Sequence, residues 1–64
     1  MTKAERDSLM SSLEYLIDSI ASERGSDFVD GMLKRMGIKS IYTIPSCDLW
    51  EVYGEFHQVE ADLK

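Results

Sequence analysis

Apolar residues return along this chain at helical intervals in three stretches, and the first two stretches stop at a glycine. From about residue 3 to residue 24, Leu9, Leu13, Leu16 and Ile20 recur at spacings of four, three and four. Met10 and Ile17 widen that stripe to about 120° of helix surface, the width of a face that packs on a core. Thr2 and Glu5 stand in the T-x-x-E spacing of a capping box, and Gly25 supplies the left-handed residue on which helices end. A second helix is expected over 27–36. Ser26 is its candidate N-cap, and Asp27 and Asp30 lie near the positive end of its dipole. Its apolar face is Phe28, Val29, Met32, Leu33 and Met36. Lys34 and Arg35 fall in its last turn, Gly37 is the stop, and Ile38 takes the place of the apolar contact in a Schellman motif. A third helix is expected over 46–62, opened by Pro45 and Ser46 and carried by Leu49, Val52, Tyr53, Phe56, Val59 and Leu63. It should fray before Lys64.

Between the second and third helices, Lys39 to Ile44 is rich in β-branched residues. A lone strand would have nothing to pair with, so this stretch reads as a tight connection that buries Ile41 and Ile44, with room for one helical turn. The expectation is therefore an all-α, three-helix bundle forming a single domain over residues 1–64.

Length makes such a bundle marginal. A 64-residue chain buries only about 60% of its unfolded surface, and domains this small usually lean on a staple, a metal, a partner or very regular helix packing. Cys47 is the one cysteine, so no internal disulfide is available, and a lone thiol suits a reducing compartment. With 44% apolar and 30% charged residues the chain is globular rather than disordered. No apolar run approaches the roughly 20 residues that span a bilayer. The first residues carry acids and no apolar h-region, so a cytoplasmic location is expected.

Charge excludes more than length does. The net charge is −5, and it is unevenly spread. Residues 1–25 carry three bases against five acids, residues 26–39 three against two, and residues 40–64 one against five. A helix-turn-helix reader would place the third helix in the DNA major groove, where Asp48, Glu51, Glu55, Glu60 and Asp62 would meet phosphates. Direct nucleic-acid binding is not expected. Nor is catalysis. Cys47 and His57 are ten residues apart on one helix, roughly 15 Å along its axis, and cannot form a nucleophile and base within one chain. Structural zinc wants four nitrogen or sulfur ligands in short paired spacings, which one Cys and one His do not supply. The glycines are isolated, so there is no phosphate loop. No cofactor, metal or catalytic site is assigned. Cys47 reads as a small buried residue and His57 as a partly exposed one.

The third helix does carry a second seam. Cys47, Trp50, Gly54, His57 and Ala61 recur at three, four, three and four, offset by 100° or more from Leu49 and Phe56. Glycine inside a helix costs about 1 kcal/mol relative to alanine, so Gly54 asks for a reason, and close approach of another helix is one. That helix is either internal, since the last helix of a bundle can touch both others, or belongs to a partner for which Trp50 is the anchor. Tyr15 and Tyr42 lie off the main stripes and could extend the patch.

The stretch Gly37-Ile38-Lys39-Ser40-Ile41, then Ile44-Pro45, then Leu49 and Tyr53, resembles the "G-[IV]-x-S-x-x-x-I-P" connection in C-terminal helical modules of bacteriophage antirepressors and single-strand annealing proteins. The likeness covers residues 29–56. It implies a phage or mobile-element origin and a helical module used for protein contacts. The DNA-handling portions of those families have no counterpart here, and no functional residue is carried over.

Two functions are consistent with this reading. One is a small, acidic, non-catalytic module that binds a protein partner or itself as a dimer through the Trp50 seam. The other is an inhibitor of a host nucleic-acid-handling enzyme or defence nuclease, of anti-CRISPR type, whose acidic third helix with Glu51 and Glu55 occupies a basic groove.

Overall fold

The computed structural model describes residues 1–63. Three α-helices and one 3-10 turn follow in order: α1 Lys3–Arg24, α2 Ser26–Arg35, the turn Ile41–Thr43, and α3 Ser46–Leu63. The all-α three-helix architecture is as the hydrophobic periodicity requires, with α1 at its expected bounds and no end of α2 or α3 off by more than one residue. The state of Lys64 lies outside the described residues.

The ends of the helices follow from local chemistry. Thr2 caps α1 by accepting the Glu5 amide at 3.1 Å. The reciprocal half of the capping box is replaced, because the Thr2 hydroxyl donates to the Glu5 carboxylate at 3.1 Å. Gly25 serves α1 and α2 at once, with φ 91° and ψ 156°. That is a glycine conformation, but it lies outside the left-handed helical region, and it turns the chain with no linker at all. The expectation that Ser26 caps α2 is therefore corrected. Ser26 is already the first helical residue, and α2 starts without a side-chain cap. At the other end, Gly37 adopts φ 73°, Ile38 N–H donates to Leu33 C=O at 2.9 Å, and Gly37 N–H to Lys34 C=O at 3.1 Å. This is the Schellman pair of bonds.

The core is one cluster. Leu9, Met10, Leu13, Leu16 and Ile20 of α1 meet Val29 and Met32 of α2, Ile44 of the connection, and Leu49, Val52 and Phe56 of α3. Ile41 is only partly buried beside Ile44. Phe28, expected on the packed face of α2, is exposed instead, because α2 turns Val29 and Met32 to α1 and leaves Phe28 at the edge. Both α2 and α3 lie along α1, and they make almost no close backbone approach to each other. The fold is accordingly wider than it is thick, 32 × 23 × 14 Å. Among the described residues no helix is long and apolar enough to cross a membrane.

Candidate functional site

Helix α3 presents three longitudinal faces. Leu49, Val52 and Phe56 point into the core. At 100° per residue, Trp50, Gly54, His57 and Ala61 lie beyond Tyr53 on one flank, and Asp48, Glu51 and Glu55 on the other. The first flank is the predicted seam, and all five of its residues, Cys47, Trp50, Gly54, His57 and Ala61, are exposed. No internal helix covers it. The reading in which the seam is filled from within the chain is thus not what the packing provides, since α3 has α1 alone for a neighbour along its length. Cys47, read as a small buried residue, is likewise on the surface, because α3 begins at Ser46 and turns Leu49 rather than Cys47 to α1.

Trp50 is the centre of this flank. It is 62% exposed although it is the largest apolar side chain present. Its ring is held edge-on by Tyr53, with centroids 5.9 Å apart and planes at 81°. Tyr53 in turn leans on His57 at 6.0 Å. Three aromatic rings therefore run in sequence along two turns of helix. The small residues Cys47, Gly54 and Ala61 leave the surface beside them low. A Cβ built on Gly54 meets nothing within 4 Å, so no contact inside the chain explains the glycine. A shallow depression lined by Ala4, Glu5, Ser8, Leu9 and Ser12 of α1 continues the surface from Trp50 and Tyr53 onto the neighbouring helix. The serines keep that side low as well.

Tyr42 does not join this patch. It is exposed on the 3-10 turn, and its hydroxyl donates to the Glu14 carboxylate of α1 at 3.0 Å. Glu14 and the Ser12 that borders the Trp50 depression are two positions apart, about 200° around α1. The hydrogen bond from Tyr42 to Glu14 and the charge of that carboxylate raise the Tyr42 pKa above the ordinary tyrosine value, with smaller contributions from desolvation and Asp18. The acids Glu51 and Glu55 are exposed, on the opposite flank of α3 from Trp50.

One residue that organises the surface was not singled out by its sequence pattern. Arg6 of α1 donates through Nη2 to the Ile44 carbonyl at 2.7 Å and through Nη1 to Ser46 Oγ at 2.9 Å. It fastens the start of α3 to the first helix and so sets where Trp50 stands. The partners are 38 and 40 residues away, and no local motif signals such a pair. Among the described residues no group of three or more His, Cys, Asp or Glu side chains is placed to hold a metal ion.

In comparisons with protein-family models, curated proteins and solved structures, nothing matches this chain.

Proposed function

We propose that this protein is a non-catalytic helical interaction module that docks on a protein surface through the outer flank of α3. The observation that carries this reading is Trp50, a tryptophan left mostly in water at the centre of an aromatic row on a regular helix. Tryptophan is costly to leave exposed and is the residue type most enriched at binding hot spots. Small neighbours at Cys47, Gly54 and Ala61 let another backbone come close to it. The likeness of residues 29–56 to phage helical modules supports a phage or mobile-element setting for such a contact.

Trp50→Ala tests the reading directly. Because the side chain is outside the core, the variant should keep the helical circular dichroism of the wild type. If the face joins two copies, sedimentation velocity should show wild-type dimers and Trp50→Ala monomers. If wild type is monomeric, crosslinked capture at low and at high salt should hold a partner that Trp50→Ala loses at both, since apolar docking is little screened. A contact that is indifferent to Trp50 at both salts sinks the proposal.

A second reading rests on charge. The described part of α3 has four exposed acids, Asp48, Glu51, Glu55 and Asp62, and no lysine or arginine. Such a surface suits the basic nucleic-acid groove of an enzyme, which it would block. That contact should weaken steeply with salt and be abolished by Glu51→Lys with Glu55→Lys.

A further inference from the structure

A groove runs along the acidic side of α3, walled opposite first by the α2–α3 connection and then by α2 itself. Its wider part, of about 750 Å³, has Met36 and Ile38 on one side, Ile44 and Pro45 at the end, and Val52 on the other. It continues past Met36 and Glu55 into a narrower part bounded by Phe28, Met32 and Val59. Phe28, the apolar residue of α2 that the core leaves out, stands at that far end. Along the α3 wall, Asp48, Glu51 and Glu55 form an exposed acidic row at helical spacing. Arg35 and Lys39 stand on the α2 side.

We infer that this groove binds an amphipathic helix of another protein, about three turns long, with an apolar stripe on the floor and a basic edge against α3. Length sets the first term: Asp48 to Val59 spans about 16 Å of helix axis, which three turns of an occupant match. Shape sets the second, because a trough with a helix as one wall and apolar residues at its base is what an amphipathic helix lays its apolar face into. Charge sets the third, since α3 between Ser46 and Leu63 has no lysine or arginine to offset its acids. A second copy of this chain fits poorly as occupant, because the apolar stripes of α1 and α3 are spent on the core and the exposed Trp50 flank lies on a helix with no lysine or arginine among its described residues. The groove is independent of the Trp50 flank, which faces the other way around α3.

Two fluorescein-labelled peptides of about 14 residues test the assignment by anisotropy. Both carry leucines at i, i+3, i+4 and i+7 and glutamine elsewhere, with lysines along one edge in the first and glutamates there in the second. The lysine peptide should bind the intact protein and the glutamate peptide should not. Glu51→Lys with Glu55→Lys should weaken the lysine peptide about tenfold or more and admit the glutamate peptide. Asp7→Lys with Glu23→Lys, the same change of charge on exposed positions of α1, should leave both as they were. In ¹⁵N spectra the shifts should fall on Phe28, Met36, Ile38 and Val52, and spare the Trp50 indole N–H. No binding at millimolar peptide, equal binding of the two peptides, or shifts centred on Trp50 would each overturn the inference. Shifts at Trp50 would at the same time favour the α3 flank as the docking face, so the two readings fail separately.

Discussion

Gly54 and Gly31 are both interior helix residues with ordinary helical backbone, and at neither would a Cβ meet an atom within 4 Å. Replacing either with alanine should stabilise the folded chain by about 0.5–1 kcal/mol, because glycine surrenders more backbone entropy and nothing opposes the added methyl. Urea melts will show whether both gain. The two should part company in docking. If a partner backbone lies close over α3, Gly54→Ala gains stability and loses binding, whereas Gly31→Ala only gains stability. Equal binding by both variants would mean that Gly54 is not at a close contact. At Tyr42 the effect is one of pH. Its folded pKa is raised, so the hydrogen bond to Glu14 adds stability below the ordinary tyrosine value of about 10 and loses it as pH rises through the folded value. Ultraviolet titration should find a late-ionising component that Tyr42→Phe removes. If Tyr42→Phe leaves the late part of the titration unchanged, the Tyr42–Glu14 bond is not formed in solution.

At the scale of elements, the packed face of α3 is fastened at its start by a single polar side chain. Arg6 makes two charge-assisted donations that cross from α1 to the end of the connection and the first residue of α3. Both bonds are partly open to water, so Arg6→Ala should cost about 1–2 kcal/mol, less than a fully buried pair. Arg6→Lys should recover only part of this, since one ammonium cannot reproduce a two-nitrogen fork. Thermal melts of the two variants check the order, and a loss under a few tenths of a kcal/mol in Arg6→Ala would show the contact to be unimportant. The helices and their ends were legible in the sequence because each is coded locally: Thr2 at a cap, Gly37 at a stop, Leu9 to Ile20 on a stripe. The connection was legible in part. Its residues do structural work here, with Gly37 left-handed, Ser40 Oγ accepting the Tyr42 amide at 3.3 Å, and Ile44 buried ahead of Pro45. What could not be read were relations between elements. Whether the seam with Trp50 faced a helix depended on the angle at Gly25, and its ψ of 156° is not encoded in any periodicity. Phe28 was misplaced for the same reason, since a stripe gives a helix face but not how much of that face a neighbour covers.

For the molecule as a whole, stability should be graded rather than uniform. A chain of this size has only a few kcal/mol in total, roughly 0.05–0.15 kcal/mol per residue. The fully buried side chains Leu13, Ile20, Leu49 and Phe56 all belong to α1 and α3. Helix α2 fully buries only Val29 and Met32 in the core, has no side-chain cap at its start, and makes little close backbone approach to α3. It should therefore open at a lower free energy than the α1–α3 pair, as elements with few buried contacts do. Native-state hydrogen exchange is the measurement. Amides of α2 from Met32 to Arg35 should exchange through a sub-global opening, while those of Leu16 to Ile20 and Val52 to Phe56 wait for global unfolding. Identical protection across the three helices would show one cooperative unit and remove the gradient. The gradient also bears on the groove, because its α2 wall is the part that opens. An occupant bridging Met36 and Val52 would bind only the closed form and should raise α2 protection by RT ln(1 + [L]/Kd) while leaving the limit set by global unfolding for α1 and α3 to rise in step. A ligand on the Trp50 flank, which touches α3 and α1 alone, stays bound when α2 opens and should raise the global limit while leaving α2 protection where it was, widening the gap between them. Exchange on the bound protein thus tells which face is occupied from the response of a helix that one ligand touches and the other does not.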